Sequence, residues 1–440
     1  MTEFGKINLH AAGMDLGTEQ IFVSTDGETV KAFGTFTSDL HDLKTYLIAN
    51  GVTTVMMEAT GVLWVPIFDI LESAGINVCL VNAAHAKNVP AQKSDPADCR
   101  WLYKLHVYGL VRASFIPDEA IRELRIYIRQ REDNKDIAAS HIQHIQKAFE
   151  LMNIKLHNVI SDIMGVSGLS IIEAILAGEH DAEKLTALCN KQILKKKKEK
   201  VLESLKGNFK REYIFMMQQA YDAWCFYQKQ IENCDIKIGE LLKKMTENLP
   251  KPPQELLGKP KPSRHDDLNV DNLHDQLVCV NNGRNAASLP GFSDSAVLKL
   301  TAELGTDFSK WATDKHFTSW LGLSPRKYQS GKTNKTRRSL KKNTKAGQIF
   351  KELSMSIAGS KHLALKGFYN RIKSRSGSKA AIKAVARKLA KLYYDYMTRG
   401  FTYVEQGLNE YEKKYKTAMI KGLEKKAKNI GYQLVPIGVH

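Results

Sequence analysis

No run of apolar residues in this 440-residue chain is long enough to cross a bilayer as a helix, and no signal peptide precedes Met14. The sequence therefore reads as neither an integral membrane protein nor a secreted one. Cysteine is scarce. The six present (79, 99, 189, 225, 234 and 279) include no Cys-x-x-Cys pair, which speaks against a structural zinc site and points to reduced thiols in a cytoplasmic protein. Proline is also sparse, and five of the twelve (250, 252, 253, 260 and 262) crowd into residues 249–267. That stretch cannot be regular helix and reads as an exposed linker, which leaves its His265-Asp266-Asp267 cluster little weight as a metal site. Acid is in deficit: 65 Lys and Arg face 47 Asp and Glu, a net charge of +18 with a pI near 9.4. Such an excess asks for a polyanionic partner, and without an apolar anchor a nucleic acid is favoured over a membrane surface. The length allows two or three domains, each with ample core.

What acid there is falls in a pattern. KINLHAAGMDLG reads as a first strand with Asp15 at its end, and QIFVST and TVKAFGTF flank Asp26-Gly27-Glu28, a strong hairpin signal. Ser38 is the expected cap of a helix whose Leu40, Leu43 and Leu47 share a face and whose stop is Gly51. TTVMMEATG is a fourth strand carrying Glu58, VLWVPIFDILESAG a second helix ended by Gly75, and NVCLVNA a fifth strand; a third helix begins near Asp95. The order βββ-α-β-α-β-α is that of the ribonuclease H fold, whose metal-binding acids lie on the first strand, the fourth strand and the last helix. Asp15, Glu58, Asp95 and Asp98 occupy those places. Asp95 and Asp98 also have a plain reading, since Asp95 can cap, Pro96 suits the first helical position and Asp98 favours the positive end of the dipole. The two readings are compatible, because residues three apart on a helix share a face.

After about residue 115 the pattern turns to long helices. Ile142, Ile145, Phe149, Met152 and Leu156 form one 3-4 stripe, and Ile231, Cys234, Ile238, Leu241 and Met245 another that reaches back to Trp224. Either dimerisation through the surfaces around 142–156 and 224–245, with Ile231 and Ile238 on one seam, or a bundle core within one chain accounts for them. LKKKKEK at 194–200 reads as a solvated helix face. LPGFSDSAVLKLTAELG has the look of a helix-hairpin-helix offering backbone N–H groups to phosphate, or of a plain helix start capped by Ser293 or Asp294. Residues 326–345 hold nine cations (Arg326, Lys327, Lys332, Lys335, Arg337, Arg338, Lys341, Lys342 and Lys345) and no acid. Such density calls for a phosphate backbone. Ser330 lies within it, either as a nucleophile on phosphorus or as a turn serine hydrogen-bonded to phosphate. A helix over 378–398 should bury Ile382, Val385, Leu389, Leu392 and Tyr396 and expose Lys383, Arg387 and Lys391.

These motifs together resemble the DEDD transposases of the IS110 insertion-sequence family. The resemblance is carried by GMDLG with Asp15, MEATG with Glu58, KSDPADCRWL with Asp95 and Asp98, and LPGF followed by FTSWLGLSPRKYQSG and KAG, over roughly residues 6–115 and 285–400. It implies a RuvC-like α/β domain of ribonuclease H fold at 6–115 and a mainly α serine transposase domain at 288–405. Between them would lie a helical coiled-coil region at 116–248 and a Pro-rich linker at 249–287, with a basic tail at 406–440. It further implies Mg²⁺ as the divalent metal held by the four acids, Ser330 as the catalytic nucleophile, and donor and target DNA as substrates. A structured bridge RNA would be the guide, and a dimer associating into a tetramer the active form. The enzyme would be cytoplasmic, and nucleoid-associated when acting on DNA. A site-specific DNA invertase, a RuvC-like junction nuclease using water, and a non-catalytic nucleic-acid-binding protein are the alternatives.

Overall fold

The computed structural model describes residues 5–82, 95–111, 113–257, 268–330, 333–337, 344–360 and 362–435. Its chain divides into two compact units, Met1–Ile116 and Pro117–His440.

Unit one is built on a sheet of β1 (Ala11–Leu16), β2 (Ile21–Ser24), β3 (Lys31–Phe33), β4 (Thr54–Glu58) and β5 (Asn77–Val81), with α1 (Thr37–Ala49), α2 (Trp64–Ser73) and α3 (Asp95–Val107). The strand order is β3-β2-β1-β4-β5; β1, β2 and β3 pair antiparallel, while β4 and β5 run parallel to β1. This mixed sheet is that of a ribonuclease H-like domain. Alternation along the strands divides its faces. Ala12, Met14 and Leu16 of β1 and Val55 and Met57 of β4 join Leu40, Leu43 and Leu47 of α1 and Ile67, Phe68 and Leu71 of α2 in one core. Met56 of β4 belongs to the opposite face, with Leu102 and Leu105 of α3.

The turn signals behave as their chemistry requires. Gly27 takes φ +85° and the Asp26 carboxylate accepts the N–H groups of Glu28 and Thr29, both at 2.8 Å. Gly51 and Gly75 end α1 and α2 with φ of +65° and +76°. Ser38 does not cap α1. The helix starts one residue before it, and Asp39 reaches back to accept the N–H of Phe36 at 3.1 Å, leaving Ser38 in the second helical position.

In unit two, the helices Glu119–Leu151 and Arg211–Thr246 form a long antiparallel pair. Both apolar stripes face inward. Ile145, Phe149, Met152 and Leu156 are fully buried against helices between 163 and 220, and Ile231 and Ile238 are 8% and 0% exposed in the single chain. The dimer seam expected at Ile231 and Ile238 is thus an intrachain core, because both residues are covered within the single chain. Midway along it, buried Arg131 donates to both carboxylate oxygens of buried Asp235, which also accepts the N–H of Asn269 at 3.2 Å. The 195–200 lysine-rich run is exposed.

The linker expected at 249–287 is a folded segment over part of its length. The spacing of Leu273, Leu277 and Val280 supports a helix, Leu273–Val280, whose His274, Leu277, Val278 and Val280 are buried. His265-Asp266-Asp267 lies outside the described residues. Further on, Ser293 is the cap of helix Asp294–Leu304, accepting the N–H of Ala296, so this segment is at least a plain helix start. An aromatic core follows, in which Phe292 stacks on Tyr393 at 5.7 Å and Phe308, Phe317 and Phe350 meet Tyr393 or each other edge-on. Helix Ser378–Arg399 buries Val385, Leu389 and Tyr396 as its pattern predicts. Its face is rotated, however, so that Tyr393 fills the centre and Ile382 and Leu392 stay half-buried. The tail is one largely exposed helix, Phe401–Asn429.

Replacing Arg131 by Met strands the Asp235 carboxylate in the core, which should cost about 3–5 kcal/mol of stability in denaturant unfolding. An Arg131→Met, Asp235→Leu double variant should recover most of that loss. A single variant within about 1 kcal/mol of wild type would show that the pair does not carry the helical hairpin.

Candidate active site

The site begins with a glycine. A Cβ at Gly13 would lie 2.2 Å from the backbone N of Tyr103 and 2.3 Å from the carbonyl O of Cys99, so α3 rests directly on β1 at the one residue without a side chain. Gly27 makes a similar approach to the Tyr103 ring. With Cys99 and Tyr103 pinned over Gly13, the first turn of α3, which holds Asp95 and Asp98, comes to the end of β1 where Asp15 emerges. Asp15 and Gly13 share a strand face by alternation. Glu58 ends β4, and the parallel register Met14↔Met57, continued by one residue, sets it beside Asp15 on a strand about 4.8 Å away.

The electrostatics record this convergence. Asp15 is raised from 3.8 to about 6, first by burial and then by the charges of Asp95, Asp98 and Glu58. Burial also pushes the Cys99 thiol up to about 11, with Asp15 and Asp98 adding to the shift. The other three acids therefore act on the one carboxyl of Asp15. Among the described residues, however, no group of three or more His, Cys, Asp or Glu side chains is arranged to hold a metal ion. The acids share a field without forming a closed coordination sphere. Their donor set still fits a hard divalent cation: it is all oxygen, and its mutual repulsion is what a cation would relieve.

The second set of residues lies in the other unit. Arg326–Ser330 and Thr333–Arg337 pair as an antiparallel two-stranded sheet, with Ser330 opposite Thr333 and Tyr328 opposite Lys335. The basic stretch is thus partly a hairpin rather than a loop. Arg326, Lys327, Lys335 and Arg337 lie on its strands, whereas Gly331, Lys332, Arg338, Lys341 and Lys342 fall outside the described residues. Lys345 opens helix Lys345–Gly359 and is exposed; Thr344 caps it by accepting the N–H of Gly347 at 3.0 Å. A Cβ at Gly347 would lie 2.2 Å from the carbonyl O of Leu321, so the KAG motif fixes this helix on the turn after Trp320. Neither Gly13 of GMDLG nor Gly347 of KAG has a task legible from the motif; the close backbone approaches supply it.

A family model described as Transposase, of the DEDD IS110 type, matches residues 12–154, and one described as Transposase IS116/IS110/IS902 family matches residues 283–370. Together they take in more than half of the chain. This chain belongs to the IS110 family of transposases. It is accordingly an enzyme that cleaves and rejoins DNA, and its family implies a divalent metal. None of the curated proteins matches it. The first match contains Asp15, Glu58, Asp95 and Asp98, and the second contains Ser330 and the cationic hairpin. Among the described residues of the transposase, no helix is long and apolar enough to cross a membrane.

Asp15 makes the metal-free transposase sensitive to pH in a definite direction. An acid whose folded value lies above its unfolded one takes up protons on folding, so stability falls as pH rises from about 4 through about 6. Asp15→Asn removes the titration. It should melt higher than wild type at pH 7 without added metal and flatten the melting curve over that window. Parallel pH profiles for the two proteins would rule out repulsion at Asp15.

Proposed function

We propose that this transposase is an RNA-guided DNA recombinase in which Asp15, Glu58, Asp95 and Asp98 bind Mg²⁺ and Ser330 is the nucleophile. The observation that supports it best is the raised Asp15 carboxyl, lifted first by burial and then by three other acids from two further elements. A structural role for these acids gives no reason to gather like charges; a metal-binding role does. When bound, the ion would polarise the scissile phosphate and lower the barrier to charge on its oxygens.

The remaining steps belong to the chain's own residues. Ser330 Oγ would attack phosphorus, forming a phosphoserine as the bond to the leaving DNA oxygen breaks. That linkage conserves the bond energy, so a second DNA hydroxyl can displace serine and rejoin the strand without a nucleotide cofactor. Cations on the 326–345 segment would hold the flanking backbone and offset the charge of the five-coordinate transition state. In this reading residues 288–405 are a serine transposase domain and residues 6–115 the metal-binding domain. Sequence would be read by base pairing to a bridge RNA, leaving the protein to recognise backbone and shape, a division for which a net charge of +18 is suited. The active form would be a dimer that associates into a tetramer. Since Ile231 and Ile238 are buried within the chain, that assembly must use other surfaces.

Denaturing electrophoresis of end-labelled DNA incubated with protein, guide RNA and Mg²⁺ tests the mechanism. Wild type should give a protease-sensitive adduct. Ser330→Ala should bind DNA and form none, and Glu58→Gln should lose cleavage while remaining folded. An adduct from Ser330→Ala would put the nucleophile elsewhere, and cleavage without an adduct from either protein would favour activated water.

The cationic segment has its own readout. Neutralising Arg337 and Arg338 together should weaken nucleic-acid binding about equally across sequences and reduce the slope of log K against log salt by about two units or less. An unaltered slope would mean that these residues do not meet phosphate.

A further inference from the structure

Helices Leu363–Ser376, Ser378–Arg399 and Phe401–Asn429 pack on one another at and beyond the end of the second matched segment. Where they meet, the Lys388 ammonium lies 3.1 Å from the centroid of the Tyr411 ring and 5.1 Å from that of Phe368, and the Arg371 guanidinium sits 5.5 Å over the same Phe368 ring. Two cations thus crowd one aromatic frame. Among the described residues neither meets a carboxylate within ion-pair distance. The acids flanking Tyr411 are engaged elsewhere, Glu410 with Lys414 at 3.2 Å and Glu412 with His362 at 3.2 Å. Burial, helped by Arg371, pushes Lys388 down to about 8. Stacking alone accounts for a single cation on a ring. It does not account for a second cation at the same ring, which costs repulsion in a partly desolvated place unless an anion joins them.

We propose that Lys388 and Arg371, framed by Phe368 and Tyr411, bind a phosphodiester of a nucleic-acid strand at a site separate from the 326–345 cations. The chemistry follows from the side chains. Arg371 supplies a planar fork and Lys388 a point charge, the two donor types that suit phosphate oxygens, while the rings keep water from the ammonium and so strengthen the attraction. Arg371, Lys388 and Tyr411 lie beyond residue 370, outside both matched segments, so the contact would belong to this chain's C-terminal helices. The inference rests on the transposase reading only in taking DNA or RNA as the ligand.

Amine acylation of the full-length protein at pH 8, quantified lysine by lysine by mass spectrometry, tests it. Lys388 should label faster than the exposed lysines, because a larger fraction of it is free amine. A short single-stranded DNA or RNA, bound as judged by fluorescence anisotropy, should slow that labelling several-fold. Arg371→Gln, a substitution at an exposed position that leaves folding intact, should weaken the protection and reduce the salt slope of binding by about 0.7. Full labelling of Lys388 in protein that binds the strand overturns the site and leaves the transposase reading untouched. Equal protection by inorganic phosphate at the same concentration also overturns it, as that would make the site one for the free ion. Failure to bind any strand, with no cleavage of DNA, would remove both readings together.

Discussion

The contact between Gly13 and the backbone of Cys99 and Tyr103 is the constraint on which unit one depends. A strand and a helix normally keep their side chains between them. Here one glycine lets the two backbones touch. The consequence reaches beyond packing, because the carboxylates at issue come from the end of β1 and the start of α3. Any side chain at position 13 would lift the helix and carry Asp95 and Asp98 away from Asp15. The hydrophobic contribution on this face is modest, since among the described residues its buried cluster is Met56, Val81, Leu102 and Leu105, against the far larger core on the α1 and α2 side. The sheet is thus anchored by one face and carries Asp15 on the other. That division suits an enzyme, because the stabilising core is remote from the charges that oppose it.

Unit two solves a different problem. Its long helices, of 33 and 36 residues, each run about 50 Å, and a pair of that length needs its register fixed. Apolar stripes alone permit sliding by a heptad, whereas a buried Arg131–Asp235 pair is satisfied in a single alignment. Side contacts extend the same logic to helix Asp294–Leu304, where Arg129 meets both carboxylate oxygens of Glu303 at 2.9 Å and Lys299 meets Glu132 at 2.7 Å. Polar pairing therefore joins the long hairpin to the part of the chain that carries the second family match.

Most of unit one was legible in the sequence because its signals are local. Asp-Gly between apolar runs, glycine after each helix, and leucines spaced 3 and 4 apart each fix a backbone conformation without help from distant residues. The misses share a cause. Ser38 is a good cap by residue type, but Asp39 one residue on could close a capping interaction from inside the helix, and type alone does not choose between them. The helix at Leu273–Val280 was hidden by the prolines before it. Likewise, an apolar stripe looks the same whether its partner is a second chain or the other arm of a hairpin, which is why Ile231 and Ile238 could be read either way. For the acids, sequence order supplied which residues to compare, but only their common effect on Asp15 puts them within electrostatic reach of one carboxyl.

That common effect also sets the terms on which a cation could enter. An Asp15 carboxyl at about 6 still holds a proton in part of the population near neutral pH, so a divalent ion would have to displace that proton as well as bind. Apparent metal affinity should then climb with pH up to the point where Asp15 is fully ionised and level off above it. The same repulsion that weakens the metal-free fold becomes attraction once a double positive charge lies among the acids. Each unit thus brings one kind of charge in excess: acids that need a cation in the first, and cations that need a polyanion in the second. On the proposed reading, metal would neutralise the first excess and nucleic acid the second, so that binding of each would add to the stability of the unit that holds it.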